Sequence, residues 1–157
     1  MKKTRKPHPD FPMPITGVGV MIFKGDKVLL GKRKSAHGAG TYEFPGGKLE
    51  VYETFEECAR RETKEECDIE IKNVRVQYFG NLQHYLPRQY THIGMVAEWK
   101  SGTPKVMEPN KCDGWDWYPL SKLPKPYFKG VTLALQAMKN GSTYFDSKKW
   151  KKIGGLL

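Results

Sequence analysis

Three carboxylates, Glu62, Glu65 and Glu66, lie in a run over residues 55–66 that contains neither glycine nor proline and so reads as one helix. At about 3.6 residues per turn, Phe55, Cys58 and Ala59 share the face that meets a core, and the three glutamates continue that face towards the C-terminal end. Glu56, Glu57, Arg60 and Lys64 fall on the opposite side, where solvent and i,i+4 pairing account for them. Carboxylates on one core-facing stripe repel each other and are costly to bury alone. A divalent cation removes that cost, and hard oxygen ligands suit Mg2+ or Mn2+. The plainer alternative is a solvated acidic helix. The stripe and the Gly46-Gly47 pair just ahead of it favour the cation.

Such a helix must be started, stopped and held against a sheet. Thr54 has the chemistry of an N-cap, and Glu57 three residues on completes a capping box. Upstream, residues 15–23 read as a strand interrupted by Gly17 and Gly19, where a backbone or ligand can approach closely. Gly25-Asp26 is a hairpin turn and residues 27–34 return as a strand. Residues 35–40 are a small-residue loop. Downstream, residues 69–81 alternate like a strand that 83–85 can extend, and residues 89–99 form another. Residues 105–114 read as irregular and 115–118 as a short strand. Residues 131–139 predict a second helix with Val131, Leu135 and Met138 inward, closed by Asn140-Gly141. Strands interleaved with two helices predict an α/β (α+β) architecture, a mixed β-sheet sandwiched between helices. The expected organisation is a basic N-terminal arm over 1–14, one domain over 15–141 and a basic tail over 142–157.

Composition narrows the classes. A chain of 157 residues is one domain with a core that needs no staples. No apolar run is long enough to span a membrane, and the N-terminus lacks a signal-peptide core. Cys58, Cys67 and Cys112 are odd in number and lack paired metal spacing, which fits a reduced, cytoplasmic setting. The net charge of +10 points to a polyanionic partner, either nucleotide phosphates or nucleic acid. Much of that excess lies in the two ends, where solubility explains it as well as a groove does.

The spacing then names a family. Five residues separate Gly47 from Glu53, seven more lead to Arg61-Glu62, and two further lead to Glu65-Glu66. This resembles the Nudix box, a glycine, a glutamate and then Arg-Glu-x-x-Glu-Glu, at fixed gaps that chance does not readily supply. The Glu-Phe-Pro-Gly-Gly lead-in and the Trp115-Asp116-Trp117 segment look like the same family, extending the likeness over residues 15–141. Within the family the chain looks most like the MutT-type branch. Thr63 stands where an aliphatic residue is usual, and Asp68 replaces the glycine that ends the helix. The resemblance implies a Nudix fold in which Glu62, Glu65 and Glu66, with the Gly46 carbonyl, hold Mg2+ or Mn2+. It also implies that Gly47, Glu53 and Arg61 are structural, the last two as an ion pair fixing loop to helix. Arg61 paired with Glu57 at the surface is the other option.

The implied activity is metal-dependent hydrolysis of a nucleoside triphosphate, such as a dNTP or an oxidised dNTP, to the monophosphate and pyrophosphate. Glu66 or Glu65 would be the general base. ADP-ribose, NADH, dihydroneopterin triphosphate and an RNA cap are alternative substrates. A catalytically silent nucleotide- or RNA-binding module is the alternative of another class. Arg33 and Lys48 are the favoured phosphate contacts among Lys32, Arg33, Lys34 and Lys48. Gly19, Phe44, Tyr90, His92 and Gly94 are candidate pocket residues, His92 equally a hydrogen-bonded sheet residue, and Trp115 or Trp117 either stacks on a base or packs in the core. Glu108 is a candidate extra ligand. The expected partner is a nucleotide; nucleic acid is not required, no membrane is involved, and a homodimer is left open.

Overall fold

Alternation along Ile15–Lys24 (β1) sends Val18, Val20 and Ile22 to one face and Met21 to the other, and both sets are buried. A strand buried on both faces must lie inside a sheet with cover on each side. The computed structural model describes residues 13–83 and 89–146 and has that form. The other strands are Lys27–Arg33 (β2), Tyr42–Glu43 (β3), Gly46–Lys48 (β4), Glu70–Leu82 (β5), Tyr90–Ser101 (β6), Cys112–Pro119 (β7) and Tyr144–Asp146 (β8). The helices are Phe55–Cys67 (α1) and Lys129–Asn140 (α2). The sheet order is β3-β2-β1-β6-β5-β8, with β4 paired to β1 and β7 to β2. Pairings β1–β6 and β5–β8 are parallel and the others antiparallel, so the sheet is mixed.

Two cores result. On one face Val18, Val20, Leu29, Ile93 and Met95 pack with Cys58, Ala59 and Cys67 of α1. On the other, Met21, Leu30, Phe44 and Tyr78 pack with Val131, Leu133, Ala134 and Ala137 of α2. The expected mixed sheet between helices is what the chain adopts. No helix among the described residues is long and apolar enough to cross a membrane.

Several boundaries differ from expectation. The Gly46-Gly47-Lys48 segment is not a free loop but a short strand, with Gly17↔Lys48 and Gly19↔Gly46 in register. β7 begins at Cys112, inside the stretch expected to be irregular. The inward side of α2 is Val131, Leu133, Ala134 and Ala137, with Leu135 partly buried against the same core, while Met138, in the last turn, is exposed. The expected tail contains β8, which pairs with β5 and buries Phe145, so the folded unit reaches at least Asp146. The N-terminal arm up to residue 12, the extension at 84–85 and the basic tail from 147 lie outside the described residues.

Candidate active site

The start of α1 is built as its sequence demands. Thr54 Oγ1 accepts from Glu57 N at 3.2 Å and Glu57 Oε2 accepts from Thr54 N at 2.7 Å, the reciprocal capping box. At the other end Asp68 caps the helix in the left-handed region, φ 55. Its carboxylate accepts from Lys64 and, at 2.7 Å, from Lys105, which holds its pKa down at about 2. The residue that replaces glycine thus brings its own partners.

The face of α1 differs from the expected stripe. The buried positions are Cys58, Ala59, Thr63 and Cys67, winding around the helix as it crosses the sheet. Glu62 and Glu66 flank this line, half-buried, whereas Glu65 falls off its edge and is 57% exposed. Phe55 is only partly buried. The uniform wheel places Glu65 on the core face because it takes no account of this drift.

Arg61 ties the site together. Its guanidinium meets Glu53 through two hydrogen bonds, Nε to Oε1 at 2.8 Å and Nη2 to Oε2 at 2.9 Å, and Nη2 also donates to the Lys48 carbonyl at 3.1 Å. Nη1 donates to Glu62 at 2.9 Å and Glu65 at 3.1 Å. Hydrogen bonding to Arg61 holds the Glu53 carboxyl down at about 2. Glu57 is occupied by Thr54, so the surface pairing with Arg61 does not form.

β4 lies between α1 and the rest of the site. Gly46 N donates to Glu66 Oε2 at 3.0 Å. A Cβ at Gly46 would collide with the Val18 carbonyl, and one at Gly47 with the Glu62 carboxylate, so this strand must be glycine for sheet and helix to close on it. Burial pushes Glu66 up to about 8, against the Gly46 N–H, with Glu43, Glu62 and Glu108 adding to the rise. Burial also raises Glu62, opposed by Arg61.

Two groups in this field escaped the sequence reading. Glu43 is raised by burial despite its ion pair with Arg33, and only its place in the Glu-Phe-Pro-Gly-Gly lead-in hints at it. Lys111 bonds Glu108 at 2.7 Å and also feels Glu66 and Glu62; nothing in the sequence marks it. In kind, two crowded carboxylates beside a glycine strand fit a hard divalent cation. Among the described residues no three acidic, histidine or cysteine side chains converge as a ready-made cage, since Glu65 is turned onto Arg61.

On the far side of β4 is a cleft of about 220 Å3, walled in part by α2. Gly17, Gly19, Phe44, Gly46, Gly47, Lys48, Tyr90, His92 and Gly94 line it, together with Arg33, Phe128 and Gly130. It exists because β1 presents bare glycines on the face opposite Val18 and Val20. Arg33 is fully engaged there, paired with Glu43, donating to Ser35 Oγ at 2.8 Å and His37 O at 3.0 Å, and lying 4.2 Å from the Phe128 ring centre. It is therefore a framework residue before it is a phosphate contact. Lys48 is exposed at the rim. Lys34 is turned away onto the Pro109 carbonyl at 2.9 Å. A Cβ on Gly94 would clash with the Tyr78 ring, so that glycine makes room for Tyr78. Trp115 does not line the cleft. It lies over Gly31 and packs, like Trp117, against the α1-side core, because β7 pairs with β2 at the remote side of the sheet.

The family model described as NUDIX domain matches residues 13–136. The NAD-capped RNA hydrolase NudC of Haemophilus influenzae strain PittGG is 34% identical over 119 residues, covering 73% of this chain and 44% of that protein. The protein of that name from Pasteurella multocida is 33% identical over 137 residues, covering 85% and 48%. The chain spans less than half the length of these relatives. Among solved structures, a MutT NUDIX hydrolase from Burkholderia pseudomallei superposes with TM-score 0.74 at 30% identity, over 79% of this chain and 97% of that one. With its capped acidic helix, its Arg61–Glu53 clasp and a model match across most of its length, the chain belongs to the NUDIX domain family of hydrolases.

Proposed function

We propose that the chain hydrolyses a phosphoanhydride bond of a nucleotide, with the phosphates over β4 and the base in the cleft behind it. The observation that carries this is the shared strand: Glu62 and Glu66 touch one side of Gly46-Gly47, and the cleft opens on the other. Glu62, Glu65, Glu66 and the Gly46 carbonyl would hold Mg2+ or Mn2+. Bound there, the ion supplies neutralisation of phosphate charge and an acidified water. Glu66 is the general base: Gly46 N–H fixes its Oε2, leaving Oε1 to take a proton. Arg61 positions the set by holding Glu62 and Glu65 from one side and the β4 loop from the other. Lys48 at the rim meets phosphate oxygens.

For the substrate, the names of the relatives favour a dinucleotide diphosphate linkage of the NAD type, including one at the end of an RNA. The second reading is a nucleoside triphosphate, cleaved to monophosphate and pyrophosphate, which the likeness to a MutT hydrolase favours. A panel of NADH, ADP-ribose, dNTPs, an oxidised dNTP, dihydroneopterin triphosphate and NAD-capped RNA, each incubated with Mg2+, separates them by the products released. Absence of turnover on every substrate would leave a binding module.

A further inference from the structure

The cleft holds a hydrogen-bond relay whose protons can be assigned without seeing them. Tyr78 is buried against α2, and its hydroxyl lies 3.0 Å from the Gly130 carbonyl and 3.1 Å from His92 Nδ1. A carbonyl only accepts, so both bonds form together only when the single Tyr78 proton goes to Gly130. The bond between Tyr78 and His92 then needs its proton from the ring, which fixes His92 as the Nδ1–H tautomer. Stacking of the two rings, with centroids 5.7 Å apart and planes 23° from parallel, holds the imidazole in that orientation. Burial lowers the His92 pKa to about 4, so the ring is neutral at pH 7.

The remaining nitrogen, Nε2, has no hydrogen-bond partner among the described residues, and His92 lines the cleft. It sits directly over two bare backbones: a Cβ on Gly19 would lie 3.1 Å from it and one on Gly130 3.3 Å. Recessed between glycines in this way, the lone pair is within reach of a slender group projecting from a flat ring. Phe44, Val131 and Ala134 supply apolar walls for the ring itself.

We propose that His92 reads the base as an acceptor-only contact, selecting a heteroaromatic ring with a projecting amino group, such as adenine, against its oxo counterpart. An amino N–H donates to Nε2. An oxo group at the same position turns a lone pair towards a lone pair, and a bare C–H leaves Nε2 desolvated and unpaired. This rests on the reading that the cleft takes the base of a nucleotide, and it adds which base the cleft takes.

The test has two arms that do not depend on hydrolysis. In protein with 15N-labelled histidine at neutral pH, the His92 signals should show a protonated Nδ1 and an unprotonated Nε2; a protonated Nε2 overturns the proposal. In binding titrations with a chelator present, AMP should bind at least tenfold more tightly than both IMP and purine riboside monophosphate. In Tyr78→Phe, where the ring can take either tautomer, that ratio should fall to about threefold or less. Equal binding of the three nucleotides by the parent protein overturns the proposal even if the hydrolysis panel succeeds. An AMP preference with the expected tautomer sustains it even if the panel shows no turnover.

Discussion

Glu66 carries opposite consequences for chemistry and for stability. Its carboxyl rises from an ordinary 4.5 to about 8 in the folded chain, chiefly through burial. Between those values the folded state binds more protons than the unfolded state, so stability falls as pH rises through the window. In chelator, melting temperature should drop from pH 6.5 to 8.5, and Glu66→Gln should flatten that slope. The same variant should lower kcat by at least about 100-fold in a steady-state assay with Mg2+, without lowering the melting temperature. Arg61 behaves differently: Arg61→Ala leaves Glu53 and Glu62 without their shared cation and should cost about 2 kcal/mol in urea unfolding. At this scale the sequence was informative where the family resemblance attaches a role to a position. The resemblance to the Nudix box implied the Arg61–Glu53 pair, now seen with two hydrogen bonds. Lys111 and Glu43 were hidden because they reach the acidic helix from other elements.

At the scale of elements, α1 carries one position at odds with its surroundings. Thr63 is fully buried and its hydroxyl has no partner among the described residues, so its shape suits the core while its oxygen does not. Thr63→Val keeps the shape and removes the oxygen, and should stabilise the chain by about 1 kcal/mol in denaturant titration. Asp68→Ala should lower the denaturant midpoint, because alanine in the left-handed cap loses both lysine partners. Asp68→Gly should recover much of that loss. The capping box and the long strands were legible because their signals are local or periodic. β3, β4 and β8, with two or three residues each, are too short to show a period, and only pairing with β2, β1 and β5 defines them. For Trp115 the core-packing alternative holds: alternation gives the side of a strand, not which face of the sheet holds the cleft.

For the whole molecule the relevant quantity is charge. At +10 the chain draws anions towards it, and the length of the anion decides how strongly salt opposes the encounter. Between about 50 and about 300 mM NaCl, kcat/KM on a small dinucleotide should fall by no more than about threefold, whereas on a nucleotide-capped RNA it should fall by tenfold or more. Equal salt responses would mean that the RNA body makes no contact with the surface. Such a result would favour a free nucleotide as the substrate.

The glycine strand β4 has a consequence for how this scaffold can change. Its two sides answer to different neighbours: α1 with its carboxylates on one, and β1, β6 and α2 around the cleft on the other. Edits at positions 92, 128 or 134 alter the cleft lining without touching a hydrogen bond of the Arg61 clasp. The fold thus resembles a tool with a fixed blade and an exchangeable grip, in which a new nucleotide can be adopted one cleft residue at a time while the cutting edge is inherited whole.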